Sequence, residues 1–242
     1  MKLILDLGNT RLKWAQCGAN GWQPGESCAS GAIPTAWTTL ARPEGAWLAS
    51  VARADAANAL CEWIQRTWNL NVERVTARRE AFGVRALYEI PETLGADRFA
   101  ALIGARRRVQ KACIVVDCGT AVTVDALAEN GDYLGGAILP GLEMMRGALA
   151  ARAGLIRSTG GRADEVCART TQDGVAAGTL IGLTGAIDAL VARQQDRLGP
   201  ARVILTGGDA ALLRPLLKMD TMEIHDLVLR GVAVVAGCKE AQ

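Results

Sequence analysis

The feature that most constrains this chain is one pattern written twice. Near the start, the apolar run Leu3-Ile4-Leu5 stops at Asp6, and Leu7, Gly8, Asn9 and Thr10 follow. Halfway along, Ile114-Val115-Val116 stops at Asp117, and Cys118, Gly119 and Thr120 follow. Each copy then resumes as an alternating segment, with Leu12 and Trp14 in the first and Val122 and Val124 in the second. An apolar run, a polar glycine turn and renewed alternation predict a β-hairpin. Two such hairpins in corresponding places predict a duplicated α/β fold, divided as 1–112 and 113–242.

The turns carry chemistry as well as shape. Glycine lets backbone N–H groups come close to a ligand, and a concave set of donors suits phosphate oxygens. Asp6 does not bind phosphate directly, because like charges repel. It suits a cation, such as magnesium carried in with a nucleotide. Lys13 adds a point charge toward the phosphates. Either turn alone reads equally well as an ordinary polar hairpin; the repetition sets the pair apart.

Between the copies, Ala46–Val51 reads as a buried strand and 72–75 as another. Ala54–Trp68 has Leu60, Trp63, Ile64 and Trp68 at helical spacing. This order fits sheets with helices on their faces. Trp47, Trp63 and Trp68 read as core or interface, since no basic residues interleave with them as a nucleic-acid groove requires. A further helix is expected over 94–105, with Leu94, Phe99, Leu102 and Ile103 on its apolar face. Asp97 near its start has two readings. It complements the helix dipole, or it is a general base beside Arg98. Arg106, Arg107, Arg108 and Lys111 suit a helix C-terminus.

In the second half, Asp125 either serves magnesium or ends the hairpin strand. A strand from Tyr133 leads through Pro140-Gly141 into a helix from Leu142, and 152–167 reads as a polar loop over the site. The longest helical pattern follows Thr170-Thr171, with Leu180, Leu183, Ile187, Leu190 and Val191 on one face. Thr171 suits its cap. Gly174, Gly178, Gly182 and Gly185 permit close helix packing. A strand over 202–206, the turn Gly207-Gly208 and two short helices complete the chain. His225, the only histidine, has no motif around it and reads as structural.

Three motifs carry a resemblance that covers nearly the whole chain. D-x-G-N-T-x-x-K at 6–13, G-A-D-R at 95–98 and V-D-x-G-T-A-x-T-x-D at 116–125 resemble, in this order, type III pantothenate kinases. These belong to the actin-like ATPase superfamily, with sugar kinases and heat-shock chaperones. The resemblance implies two ribonuclease-H-like domains, each a mixed five-stranded sheet with helices, in a homodimer. It implies ATP binding by Asp6, Leu7, Gly8, Asn9, Thr10, Arg11, Leu12, Lys13 and Thr120. It implies that Asp97 is the catalytic base, and that Tyr88, Gly95, Ala96, Asp97, Arg98 and Thr171 surround pantothenate. Thr171 would reach across the dimer interface; the family usually has asparagine where Thr170 stands, which leaves Thr170 and Thr171 both open. Asp117 would hold a monovalent cation, potassium or ammonium. The forked donors of Arg98 suit the substrate carboxylate. The implied reaction is ATP- and magnesium-dependent phosphorylation of pantothenate to 4′-phosphopantothenate, the first step toward coenzyme A.

Composition narrows the alternatives. Of 242 residues half are hydrophobic, enough for a sizeable core. A net charge of +2 offers no basic face for nucleic acid. Seven cysteines without a C-x-x-C spacing read as free thiols in a reducing cytosol. No signal peptide and no bilayer-spanning stretch are expected, so the location expected is cytoplasmic. The rival readings are another small-molecule kinase or a phosphatase of the same superfamily, and a non-catalytic ATP-binding accessory factor in gene regulation.

Overall fold

The computed structural model describes residues 1–19, 21–153, 160–163 and 166–238. In chain order the strands are β1 (Lys2–Leu7), β2 (Arg11–Gly18), β3 (Gly21–Pro24), β4 (Cys28–Ala29), β5 (Gly45–Ser50), β6 (Val72–Arg74), β7 (Glu80–Ala81), β8 (Val84–Ala86), β9 (Cys113–Cys118), β10 (Ala121–Leu127), β11 (Asp132–Pro140), β12 (Arg202–Thr206) and β13 (Thr221–Glu223). The helices are α1 (Ala54–Trp68), α2 (Ala96–Arg108), α3 (Leu142–Arg152), α4 (Thr171–Leu198), α5 (Ala210–Leu213) and α6 (Leu227–Val235).

The chain forms two compact units. The first comprises Met1–Gln110, Glu129–Gly135 and the chain from Asp226; the second comprises Lys111–Ala128 and Gly136–His225. The leading segment of the first unit ends at Gln110. Two segments from the C-terminal half nevertheless pack with the first unit, because α6 and the start of β11 find their partners there.

In the first unit the sheet runs β3-β2-β1-β5-β6, with β4 added against β2. β1 is antiparallel to β2 and parallel to β5. Alternation along β1 sends Leu3, Leu5 and Leu7 into one core with Leu12, Trp14, Trp37, Leu48, Leu60, Ile64 and Trp68. The Trp14, Trp63 and Trp68 rings gather around Trp37 at 5.5–5.6 Å. Of the three tryptophans expected in core or interface, Trp68 is buried here and Trp63 packs half-buried against the cluster, while Trp47 is half-buried outside it, its Nε1 donating to Glu73 Oε2 at 3.1 Å. α1 contributes the buried Leu60 and Ile64; each such side chain stabilises by about 1.5–3 kcal/mol. It ends at Asn69, whose φ of 50° is the left-handed conformation common at helix C-termini.

Lys2, Ile4 and Asp6 share the other face of β1. Lys2 Nζ donates to the Ala236 carbonyl, so that face is the one α6 covers. α6 packs on β1, β2 and β5, and α2 packs on α6 and β5. The two helices meet backbone to backbone. A Cβ on Gly231 would lie 1.7 Å from the Ala100 carbonyl oxygen, and one on Gly104 would lie 2.7 Å from that of Leu227.

In the second unit the path is β11-β10-β9-β12-β13, within a sheet that β8 and β7 extend beyond β11 to seven strands; with β4 the first sheet has six, so neither sheet stops at the five strands expected. β9 is antiparallel to β10 and parallel to β12, and β12 is parallel to β13. Strand for strand, this repeats the five-stranded path of the first unit, which bears out the duplicated α/β fold. Ile114, Val116, Val122 and Val124 pack against Leu180, Leu183, Ile187 and Val191 of α4.

Several expectations need correction. Asp125 does not end its strand: β10 runs on to Leu127, and Asp125 is buried within it. The cap of α4 is Thr170, whose Oγ1 accepts the Asp173 N–H at 3.1 Å, because Thr170 is the last residue with extended backbone. Thr171 is the first helical residue. α2 starts at Ala96, so Leu94 precedes it. Contrary to the sequence reading, α4 is long and apolar enough to cross a membrane by length and composition. It is 28 residues long, and its apolar face packs into the second unit's core. Of the loop expected over 152–167, Arg152 is the last residue of α3, and 154–159 and 164–165 lie outside the described residues.

Candidate active site

In the first unit, β1 and β2 place Asp6 directly opposite Lys13. Directly opposed residues of an antiparallel pair project from the same face. The turn between them closes with the Gly8 N–H donating to the Arg11 carbonyl at 3.0 Å. The Gly8 amide is therefore spent within the turn, and its φ is not left-handed. Asn9, Thr10 and Arg11 are the exposed residues of the turn. The Arg11 guanidinium donates to Ser27 Oγ at 2.6 Å. Leu7 and Leu12 are 1% exposed and belong to the core, so only their backbone can face a ligand.

The Asp6 face is also the α2 face, and α2 begins with the G-A-D-R motif. Gly95 is the N-cap position, and Asp97 Oδ1 accepts the Arg98 N–H at 2.7 Å. A Cβ at Gly95 would stand 2.6 Å from that same Oδ1 and 3.4 Å from Val51 Cγ1. Gly95 thus leaves room for the Asp97 carboxylate to fold back over the helix start. Val51 directly follows β5, and its N–H donates to the Leu7 carbonyl at 3.2 Å. Asp6 and Asp97 accordingly stand on one face of one sheet, toward the end where β1 and β5 finish.

Arg98 is buried, at 8% exposure. Its Nη1 donates to the Tyr88 hydroxyl at 3.0 Å and its Nη2 to the Tyr133 hydroxyl at 2.6 Å. The two tyrosine rings stack at 5.5 Å. Tyr133 is the residue that sequence reading passed over. The available signal was that it is the one tyrosine besides Tyr88.

The second turn lies under two glycine loops. The Gly141 N–H donates to the Thr120 carbonyl at 3.0 Å, and a Cβ there would be 2.5 Å from the Gly119 carbonyl oxygen. Gly207 has φ +96° and packs so that a Cβ would be 2.5 Å from Asp117 Oδ1. The Asp209 N–H donates to the Cys118 carbonyl at 3.0 Å. The T-G-G and P-G segments are thereby explained as close packing around Asp117–Thr120. Burial, with Glu143 nearby, raises the Asp209 carboxyl above the ordinary aspartate range, while Arg146 opposes the shift. The Cys118 thiol is pushed up to about 12 by burial and by the Asp117 and Asp209 charges. Thr171 is exposed at the start of α4. His225 is exposed beside Glu223, in neither turn.

Which metals fit is a question of donor chemistry. Among the described residues no three His, Cys, Asp or Glu side chains gather as a metal site. Asp6 and Asp117 are single carboxylates beside polar turns. That donor set suits hard cations that complete their shells with phosphate oxygens and water.

Two sheets of one strand order, each with an acid and glycine at its first hairpin, define the actin-like ATPase and sugar kinase class. Solved structures agree on this fold. A chain described as a conserved Baf family transcriptional activator from Campylobacter jejuni matches with a TM-score of 0.59 at 20% identity, covering 97% of this chain and 98% of that one. The ADPNP-bound activator of the 2-hydroxyisocaproyl-CoA dehydratase from Clostridium difficile matches with a TM-score of 0.53 at 13% identity, covering 97% and 93%. Within that class the chain belongs to the type III pantothenate kinase family, whose model matches residues 2–193. The type III pantothenate kinase of Nitrosococcus oceani is 37% identical, over 98% of this chain and 94% of its own. That of Chromobacterium violaceum is 40% identical, over 98% and 99%.

Proposed function

We propose that this chain transfers the γ-phosphoryl group of ATP to the primary alcohol of pantothenate, forming 4′-phosphopantothenate and ADP on the route to coenzyme A. The observation that carries this is the Asp97 carboxylate, held at the start of α2 beside the Arg98–Tyr88 cluster, in a chain of this family. Asp97 accepts the alcohol proton as the alcohol oxygen bonds to the γ-phosphorus and the bond to the β–γ bridging oxygen breaks. Positioning and charge neutralisation supply the remainder. Magnesium bound with ATP would supply charge neutralisation at the phosphates, and Asp6 is the carboxylate that would hold it. Asp6–Lys13 and Thr120 bind ATP, and Asp117 would hold a monovalent cation, potassium or ammonium.

Tyr88, Gly95, Ala96, Asp97 and Arg98 line the pantothenate site. Thr171 is the substrate contact rather than Thr170, whose hydroxyl is engaged in the cap. The enzyme works in the cytoplasm, in keeping with seven free thiols, and as a homodimer through α4. Gly178, Gly182 and Gly185 support that interface, since a Cβ on each would meet nothing within 4 Å.

The test is ATP-dependent phosphorylation of pantothenate by purified protein, with and without potassium, alongside Asp97→Asn. Loss of a general base costs about 10²–10⁴-fold in rate. Wild-type turnover that needs the monovalent cation, with a folded and inactive Asp97→Asn, is the expected result. Wild-type protein that binds ATP without consuming pantothenate overturns the substrate assignment.

A further inference from the structure

We infer that Tyr133 is a positioning residue for the acid substrate, acting through Arg98 and Tyr88. This deepens the pantothenate kinase reading and rests on it. Tyr133 is the second residue of β11 and is fully buried. Its hydroxyl accepts from Arg98 Nη2 at 2.6 Å, a shorter bond than the 3.0 Å from Nη1 to Tyr88. Its ring stacks on that of Tyr88 with 26° between the planes. The Arg98 guanidinium also lies 5.9 Å from the Tyr133 ring and 6.0 Å from the Tyr88 ring, within cation–π range.

The backbone holds this arrangement in place. Tyr133 pairs with Ala86, and the Leu87 N–H donates to the Tyr133 carbonyl at 3.2 Å. One residue earlier, Arg85 grips both carboxylate oxygens of Asp132, at 2.5 and 2.7 Å. Arg79 donates to the carbonyls of Ala86, Tyr88 and Glu89, at 3.3, 2.8 and 3.2 Å. The segment carrying Tyr88 is thus tied down on both sides.

The chemical consequence follows from hydroxyl geometry. A tyrosine oxygen that accepts from a guanidinium turns its own O–H elsewhere. Tyr88 is half-buried, so its proton is available to an acceptor oxygen of the substrate. Tyr133, wholly interior, fixes where Arg98 and the Tyr88 ring stand. Arg98 directly follows Asp97, so the same hydroxyl also steadies the turn that holds the base.

Tyr133→Phe keeps the ring and removes only the oxygen. A lost hydrogen bond to a charged group corresponds to about a tenfold or greater loss of binding. The expected result is a KM for pantothenate raised about tenfold or more. The KM for ATP stays close to wild type, and the thermal midpoint falls by no more than the loss of one buried hydrogen bond implies, roughly 3–12 °C. In an Arg98→Lys background the Tyr133→Phe effect shrinks, because the residue through which it acts has lost its fork. Wild type without pantothenate turnover overturns the kinase reading and this inference with it. Active wild type with an unchanged Tyr133→Phe overturns the inference alone. Parallel loss in both KM values and in thermal midpoint shows a general structural role and also overturns it.

Discussion

Gly231→Ala tests how closely α2 and α6 must approach. The added Cβ would lie 1.7 Å from the Ala100 carbonyl oxygen, 2.5 Å from its carbon and 3.0 Å from its Cα. All three are backbone atoms, so no rotamer change relieves the clash. Ordinary C···O contacts are about 3.3–3.6 Å, so the helices must part by roughly 1.6 Å or more. Overpacking of a core typically costs about 1–3 kcal/mol, and a backbone-to-backbone clash belongs at or above the upper end. Alanine recovers about 1 kcal/mol of helix propensity over glycine. The net loss is therefore roughly 2 kcal/mol or more. In a chain of this length each kcal/mol moves the thermal midpoint by about 2–4 °C, so a drop of about 4–8 °C or more is expected. Scanning calorimetry and urea unfolding measure it. Gly147→Ala in α3 is the control, since its Cβ meets nothing within 4 Å. It should stabilise by up to about 1 kcal/mol. Equal behaviour of the two variants, or a Gly231→Ala as stable as wild type, refutes the close-approach reasoning.

Other outcomes follow from the same geometry. Gly207→Ala forces a side chain into φ +96° and against Asp117 Oδ1; steady-state kinetics should show a fall in kcat/KM of about 5- to 150-fold, matching strain of roughly 1–3 kcal/mol. Cys118, its thiol pushed up to about 12, should resist alkylation at pH 8 in the folded protein while exposed Cys167 reacts first, as peptide mass spectrometry would show. The Arg85 guanidinium holds the Asp132 carboxyl below its ordinary value of about 3.9. A lowered folded value means stability present above the unfolded value and lost as pH falls through the folded one. The stability gap between wild type and Asp132→Asn should accordingly close on acidification, and a gap that widens would contradict the pairing.

Much of this protein is legible in one dimension. The hairpins β1–β2 and β9–β10 follow from local alternation ended by an acid and a glycine, and their repetition states the duplication. α1 is readable to the residue, because Leu60, Ile64 and Trp68 carry its periodicity. The motif G-A-D-R is visible as a string, and its family resemblance supplies the role of Asp97. Other features depend on partners far away in the chain. That Gly8 spends its amide on Arg11, or that Thr170 rather than Thr171 caps α4, turns on one residue's backbone conformation, which neighbouring letters do not set. Asp125 lies inside a strand because β10 continues along β9, and only pairing shows where a strand stops. Tyr133 joins Arg98 across 35 positions, through the pairing of β11 with β8. Glycines 104, 207 and 231 look alike in sequence, and only the surfaces that meet them explain why a side chain cannot stand there. Local patterns set secondary structure because they are short-range; site geometry is tertiary because it is made where distant segments exclude one another's atoms.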